Sequence, residues 1–192
     1  MPIHAGISGY SGAGKTTVSR LLAARAAAKG KKVVWRGRIT TQPPREGAIP
    51  GHEYDHPEHE EFVTRAARGE ILFIHPVMQN KKPYMTGILR PEAWAPLDDE
   101  VDLVLYLLGR AAPKIKREYI PEMTTILLKV EKEPLIKRMI TRSDESIIGF
   151  HERWANNEWY EEIGIDGDYD HIVHNNGTPL ECAIEIEKIL GL

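Results

Sequence analysis

A glycine-rich segment near the N-terminus constrains the fold of this chain more than any other feature. Residues 9–16 read GYSGAGKT and fit the pattern G-x-x-x-x-G-K-[S/T]. This segment follows a small and apolar stretch at residues 3–8 and precedes good helix formers at residues 15–29. The sequence therefore predicts a strand, a phosphate-binding loop (P-loop) and a helix in that order, which is the start of an α/β fold.

Each residue type in this loop has a physical role. Glycines let backbone N–H groups turn toward a phosphate, and the N-terminus of the following helix adds positive potential. Lys15 can reach the outer phosphates of a nucleotide, and the hydroxyl of Thr16 can ligate Mg²⁺. A turn that only connected two elements would not need a lysine followed by a threonine. The residues predicted to bind ATP and Mg²⁺ are Gly9, Tyr10, Ser11, Gly12, Ala13, Gly14, Lys15, Thr16 and Thr17.

Apolar runs further along the chain predict the remaining strands of a parallel sheet. Residues 101–108 and 124–130 are nearly continuous apolar runs, as in strands that are buried on both faces. Shorter strands are predicted at residues 33–36 and 169–174. Together with the first strand, they alternate with helices and predict a doubly wound α/β core, a P-loop NTPase fold with a five-stranded parallel sheet. The later helices are predicted at residues 133–140, 152–163 and 179–190.

Residues 37–96 differ in composition from the rest of the chain. Prolines, glycines and charges are dense there, a helical pattern occurs only near residues 58–68, and no long buried strand can be drawn. We expect an inserted subdomain within a single domain of residues 1–192. A chain of 192 residues with 42% hydrophobic residues is long enough to bury one substantial core.

Charge and cysteine content limit the expected partners and compartment. A formal net charge of -3 leaves no global basic field for nucleic acid. The single cysteine, Cys182, excludes an intrachain disulfide, the apolar runs are too short to cross a bilayer, and the N-terminus lacks a secretory pattern. We expect a cytoplasmic monomer or homodimer that acts on a small phosphorylated molecule, without nucleic acid or membrane partners.

The segment that follows the P-loop and the next strand resembles the acceptor-binding region of guanylate kinases. That family typically carries the pattern TTR-x-P-R-x-G-E…G-x-x-Y. The matching residues are Thr40, Thr41, Pro44, Arg45, Gly47, Gly51 and Tyr54. Residues 84–86, YMT, stand where the family has Y-G-[S/T]. The acceptor-binding residues that this resemblance implies are Arg45, Tyr54, Tyr84 and Thr86.

The C-terminal part of the chain extends the resemblance. Residues 135–154 resemble the lid of guanylate kinases, in which two arginines approach the transferring phosphate, and Arg142 and Arg153 have the family's spacing. Residues 169–190 resemble the final strand, the adenine-side loop and the last helix, with Asn175 in the position that faces adenine. The resemblance implies an ATP-dependent phosphotransferase with a lid at about residues 141–153. Its implied catalytic residues are Lys15, Arg142 and Arg153.

The sequence departs from the family at positions that read guanine. Gln42 replaces the arginine of the TTR pattern, and Arg38 replaces a serine that meets the base. Phe73 falls at the base-reading glutamate, and Tyr106 falls at an aspartate near a strand end. Guanine has N–H donors on its Watson–Crick edge, and leaving them unpaired commonly costs a few kcal/mol in total. We therefore expect shallow selectivity for GMP.

Two alternatives remain open from the sequence. Residues 38–42, RITTQ, partly resemble the R-Y-I-T-R pattern of ribose 1,5-bisphosphate kinases, where Arg38 would bind a second anionic group of a sugar phosphate. The chain could also be a nucleotide-binding protein without transfer activity, because Tyr106 replaces an acid that often supports Mg²⁺ in P-loop enzymes. The intact P-loop and the two lid arginines favour an enzyme, and the PPREG…EY segment favours a nucleoside monophosphate as acceptor.

Overall fold

A computed structural model describes residues 1–36, 38–44, 47–49, 52, 54–79, 82–141 and 168–192 of the chain. The strands are β1 (Ile3–Gly9), β2 (Val33–Arg36), β3 (Arg38–Thr40), β4 (Tyr54–Asp55), β5 (Ile71–Gln79), β6 (Lys82–Leu89), β7 (Leu103–Leu107), β8 (Thr124–Lys129) and β9 (His171–His174). The helices are α1 (Lys15–Ala28), α2 (His59–Ala67), α3 (Ala112–Tyr119), α4 (Lys132–Ile140) and α5 (Pro179–Leu190).

Strands β2, β7, β1, β8 and β9 form, in that order, a five-stranded sheet in which all neighbours are parallel. The order confirms the predicted α/β architecture and the five-stranded parallel sheet of a P-loop NTPase fold. β1 lies in the centre, so the loop that follows Gly9 emerges at the carboxyl edge of the sheet, where open α/β sheets bind ligands.

Helices on both faces bury the central strands. In β7, Leu103 and Leu105 belong to a core cluster with residues of α1, α4 and α5. Val104 and Tyr106 belong to a second cluster that includes residues of α3. This alternation follows from the two-residue period of a strand, and burial on both faces explains why the sequence of β7 is apolar throughout.

A second sheet has the strand order β4-β3-β6-β5. β6 is antiparallel to both β3 and β5, whereas β3 and β4 are parallel. Phe62 of α2 packs in a small core cluster against Ile39 and Leu89 of this sheet. The expectation that no long buried strand can be drawn in residues 37–96 missed β5 and β6, and the last four residues of β6 are buried. Pro76 and Pro83 made the β5–β6 hairpin hard to recognise in the sequence, because proline usually interrupts a strand. The outer strand, β5, lies at the sheet edge, where proline is tolerated.

An ion-paired contact fixes α5 against α1. The Glu187 carboxylate is buried and receives hydrogen bonds from Arg25 and Lys29 of the neighbouring helix region. The hydrogen bonds from Lys29 and Arg25 hold the pKa of Glu187 below its usual range, so the pair is ionised at neutral pH. At the other end of α5, Thr178 and Glu181 form a capping box. The last helix thus supports the helix that begins at the P-loop.

Several expectations concern residues outside the described part of the chain. The predicted helix at residues 152–163 and nearly all of the predicted lid at about 141–153 lie there. Among the helices that the structure describes, none is long and apolar enough to cross a membrane.

Candidate active site

Three glycines give the P-loop its conformation. Gly9, Gly12 and Gly14 have φ values of 143°, 88° and 89°, a region that L side chains rarely adopt. A Cβ atom on Gly9 would lie 2.6 Å from the carbonyl oxygen of Leu128, and one on Gly14 would lie 2.7 Å from Nδ2 of Asn175. Side chains at these positions would therefore both strain the loop and collide with its supports.

Lys15 begins α1 and turns back across the loop. Its Nζ donates hydrogen bonds to the carbonyl oxygens of Gly9 and Tyr10, each at 2.8 Å. The ammonium group is therefore held above the loop, where the outer phosphates of a nucleotide would lie. Thr16 follows in the first turn of α1, and its hydroxyl is the hard oxygen ligand that Mg²⁺ prefers, so this residue fits a magnesium site.

Asn175 supports the loop from the end of β9. Its side chain is buried, and Nδ2 donates a hydrogen bond to the carbonyl oxygen of Ala13 at 2.8 Å. Its backbone N–H donates to the carbonyl oxygen of Lys129, also at 2.8 Å. Asn175 thus ties β9 and the end of β8 to the P-loop, and its contact with adenine stays a prediction.

An open cavity of about 560 Å³ lies between α4 and the turn after β9. It is lined by Glu133, Pro134, Lys137, Arg138, Thr141 and Asn176. The P-loop packs against a different face of α4, because a Cβ atom on Gly12 would meet the buried Leu135 and Met139 of that helix, each at 3.0 Å. Sequence reasoning predicted α4 but not its part in a cavity.

The second sheet carries the described residues that the resemblance assigns to the acceptor. Arg38 pairs with Tyr54 across β3 and β4, and Thr86 pairs with Thr40 across β6 and β3. Tyr54 and Tyr84 are partly exposed, whereas Thr86 is buried and its hydroxyl donates to the carbonyl oxygen of Ile39. The predicted residues Arg45, Arg142 and Arg153 lie outside the described residues.

Arg38 contacts a histidine that sequence reasoning missed. Its Nη2 lies 3.1 Å from Nε2 of His75, and Nδ1 of His75 lies 2.9 Å from the carbonyl oxygen of Phe73. Because a carbonyl only accepts, Nδ1 carries the proton and Nε2 accepts a hydrogen bond from Arg38. Burial lowers the pKa of His75 and outweighs the Phe73 bond, and the charges of Arg38 and Arg110 lower it further. The ring is therefore neutral at physiological pH.

The positions that would read guanine carry no carboxylate. Tyr106 is buried, and its hydroxyl lies 2.6 Å from Nδ1 of His4 in the interior, so it is not available to compensate for an acid. Burial raises the pKa of Tyr106 far above its usual range, which keeps the hydroxyl neutral. The ring of Phe73 lies 5.0 Å from Nζ of Lys114. Neither Phe73 nor Tyr106 therefore supplies the carboxylate that guanylate kinases carry at the matching position.

Comparisons with known proteins extend over nearly the whole chain. It is 27% identical to the guanylate kinase of Nitrobacter winogradskyi over 185 residues, which cover 96% of this chain and 80% of that one. It is 29% identical to the guanylate kinase of Corynebacterium efficiens over 190 residues, 96% of this chain and 93% of that one. The chain is therefore similar to guanylate kinases over nearly its whole length. No protein-family model matches it.

The likeness holds for the fold as well. The crystal structure of guanylate kinase from Anaplasma phagocytophilum matches this guanylate kinase-like chain with a TM-score of 0.62 and 21% identity, covering 99% of this chain and 85% of that one. The relatives are named guanylate kinases, so the comparisons do not favour a ribose 1,5-bisphosphate kinase or a protein without transfer activity. Within this likeness, the contact between Arg38 and His75 lies on the side of the site where the sequence departs from the family.

Proposed function

We propose that this guanylate kinase-like chain is an ATP-dependent kinase that transfers the γ-phosphoryl group of ATP to a nucleoside monophosphate, GMP or a related nucleotide. The observation that carries the proposal is the intact P-loop at the carboxyl end of β1, in a chain similar to guanylate kinases over 96% of its length. The backbone conformation of the loop and the position of Lys15 both suit the binding of nucleotide phosphates.

The donor nucleotide would bind with its phosphates at the P-loop and its base toward α4. Its phosphates would accept hydrogen bonds from loop N–H groups and from Lys15. Thr16 would hold Mg²⁺, which neutralises charge on the bridging phosphate oxygens when it is bound. Asn175 keeps the loop in place through Ala13.

The acceptor would bind on the second sheet, opposite the P-loop. Tyr54 and Tyr84 offer hydroxyl donors for its phosphate, and we assign Arg45 to the same phosphate. Phosphoryl transfer requires alignment of the two substrates and neutralisation of charge on the transferring oxygens, for which we propose Lys15, Arg142 and Arg153. In this arrangement residues 37–96 form the acceptor-binding insertion of a single domain, and residues 141–153 form its lid.

The expected setting of this activity follows from the sequence. The single cysteine and the moderate negative charge support a cytoplasmic enzyme with small-molecule partners. We propose a monomer or a homodimer, which sedimentation equilibrium would distinguish.

A coupled assay of ADP formation tests the proposed activity. Purified protein with Mg-ATP is given GMP, dGMP, AMP, CMP, UMP or ribose 1,5-bisphosphate, and a reaction without acceptor measures ATP hydrolysis. We expect acceptor-dependent ADP formation with at least one nucleoside monophosphate, and the matching diphosphate as the second product. Binding of Mg-ATP without transfer to any of these acceptors would contradict the proposal and indicate a non-catalytic protein.

A further inference from the structure

The proposed acceptor side of the site contains a partly exposed arginine, Arg38, whose buried Nε donor is unused among the described residues. Nε of Arg38 is buried and has no hydrogen-bond acceptor among the residues that the structure describes. The contact of the Arg38 side chain with described residues is the one with His75, and no described carboxylate forms an ion pair with it. Buried donors of a charged group are ordinarily paired, so the unpaired Nε makes Arg38 a candidate to bind a further hydrogen-bond acceptor.

The backbone of β5 is distorted in a way that places His75 beside Arg38. Phe73 has φ 52°, which is rare for a bulky residue, and the register of β5 against β6 shifts between Leu72 and His75. Strained residues and bulges of this kind cluster at functional sites, where they redirect a side chain. The hydrogen bond of His75 to the Phe73 carbonyl fixes the ring, and the ring in turn fixes the guanidinium group.

Positive charge surrounds the same bulge. Arg110, at the carboxyl end of β7, lies close enough for its charge to oppose protonation of His75. Nζ of Lys114 lies 5.0 Å from the centre of the Phe73 ring. Arg38, Arg110 and Lys114 near residues 73–75 are hydrogen-bond donors, whereas guanine's Watson–Crick edge would require acceptors for its N–H groups. This environment selects a ligand edge that consists of acceptors.

We propose that Arg38, oriented by His75, determines acceptor specificity by donating two hydrogen bonds to the O6 and N7 atoms of a 6-oxopurine nucleotide. This inference rests on the proposed nucleoside monophosphate kinase activity. An arginine fork matches the adjacent O6 and N7 acceptors of guanine, whereas adenine places an amino donor beside N7 and opposes the fork. The 2-amino group then makes no selective contact, since neither Phe73 nor Tyr106 has a carboxylate.

The proposal gives a different substrate ranking from one based on the Watson–Crick edge. IMP keeps O6 and N7 and lacks only the 2-amino group of GMP, so the two should have kcat/KM values within about threefold of one another. XMP also keeps O6 and N7 but has a 2-oxo group and an N3–H, so it tests the same contact with a different base charge. AMP should be about 10- to 100-fold poorer, the discrimination expected of one bidentate arginine contact. 7-Deaza-GMP, which lacks the N7 acceptor, should fall between these values.

The experiment measures kcat/KM for GMP, IMP, XMP, 7-deaza-GMP, AMP and ribose 1,5-bisphosphate with the full chain and with Arg38→Met. The variant removes the donors but keeps the length of the side chain, so the 6-oxopurine nucleotides should each lose about 10- to 100-fold while AMP stays unchanged. Arg68→Met, at the exposed end of α2, is the matched control and should change no ratio. Arg38→Lys, which keeps the charge without the planar fork, should lose most of the discrimination as well.

The role of His75 in positioning has its own readout. His75→Phe removes the acceptor for Arg38 and should raise KM for GMP more than it lowers kcat, whereas His75→Gln keeps an acceptor and should restore much of the KM. Equilibrium binding of GMP, IMP and AMP to the wild-type chain and to Arg38→Met by calorimetry should give the same ranking without turnover. Ranking by binding in the absence of transfer would support the role of Arg38 while contradicting the proposed activity.

Three outcomes would overturn the inference. They are a preference of more than tenfold for GMP over IMP in both the wild-type chain and Arg38→Met, equal use of AMP and IMP by the wild-type chain, and Arg38-dependent activity confined to ribose 1,5-bisphosphate. The last outcome would mean that a second phosphate supplies the acceptors for Arg38, because phosphate oxygens have the same hydrogen-bonding chemistry.

Discussion

The two substrate sides of this molecule are built in different ways. On the donor side, one contiguous segment from Gly9 to Thr16 supplies backbone N–H groups, glycine conformations and a lysine. On the proposed acceptor side, the candidate functional groups are side chains brought together from separate strands, and Arg38 and His75 are 37 residues apart in sequence. A site built from backbone keeps its chemistry when the sequence changes, whereas a site built from side chains changes specificity while the fold persists.

Removal of the lysine of the donor side should have the largest effect. Lys15→Ala deletes the charged group that we propose binds the outer phosphates, and we expect kcat/KM to fall about 100- to 1,000-fold, as for the loss of one preorganised donor. Steady-state kinetics with Mg-ATP and the best nucleoside monophosphate measures this. Lys188→Ala, at the exposed end of α5, is the control and should be neutral. Unchanged activity of Lys15→Ala would mean that the P-loop is not the donor site.

The two lid arginines should connect the two sides during transfer. We expect Arg142→Ala and Arg153→Ala each to lower kcat about 100-fold with little change in the dissociation constant of ATP, since charge on the transferring group develops in the transition state. Calorimetry and single-turnover kinetics separate the two effects. Weaker ATP binding at a normal maximal rate would instead assign these arginines to the donor side.

A substitution in the second sheet should disturb the acceptor side alone. A Cβ atom on Gly87 of β6 would collide with the Ile71 side chain and lie 3.0 Å from the carbonyl oxygen of Leu72. Overpacking of this kind costs about 1–3 kcal/mol, so Gly87→Ala should lower the free energy of unfolding and raise KM for the acceptor. Urea unfolding and steady-state kinetics test this. Gly69→Ala is the control for the added methyl group alone, because a Cβ atom there would meet nothing within 4 Å, although the positive φ of Gly69 adds backbone strain. An equal loss of ATP affinity would show that the two sides are not independent.

The smallest effect is expected for the asparagine that supports the P-loop. Asn175→Ala removes the hydrogen bond to the Ala13 carbonyl and should lower the free energy of unfolding by about 1 kcal/mol, with a several-fold loss of ATP affinity. The neighbouring Asn176→Ala is the matched control, since Asn176 is exposed and bonds to Glu131, and its stability should change by less than about 0.5 kcal/mol. Equal destabilisation by the two variants would mean that the buried bond carries no special weight.

The sequence predicted the donor side well because its signals are local. The P-loop pattern, the apolar runs of β7 and β8 and the helix formers of α1 each lie within a few turns or one strand. Burial on both faces of a parallel sheet also makes such strands continuously apolar, which is visible without any partner strand. The same holds for α5, whose capping box starts at Thr178.

The acceptor side was predicted less well because its structure depends on pairing between distant segments. The hairpin of β5 and β6 contains Pro76, Pro83 and Gly87, which are strand breakers when taken alone. Pro76 lies on the edge strand β5, Pro83 precedes the residues of β6 that pair with β3, and Gly87 packs closely against Ile71 and Leu72. No local signal places His75 beside Arg38. Sequence reasoning could have identified Arg110, because this residue follows the carboxyl end of β7, at the sheet edge where ligands of α/β folds bind.

The bonds of Lys15 to its own loop have a consequence for anion selectivity. Before a nucleotide enters, two carbonyl oxygens already occupy the ammonium group, so any incoming anion competes with them. We expect a polyphosphate to offset the loss of these bonds better than a single phosphate, because its several phosphate groups can meet the loop N–H groups and Lys15 at the same time. Competition from the backbone carbonyls would then favour nucleotides over simple anions.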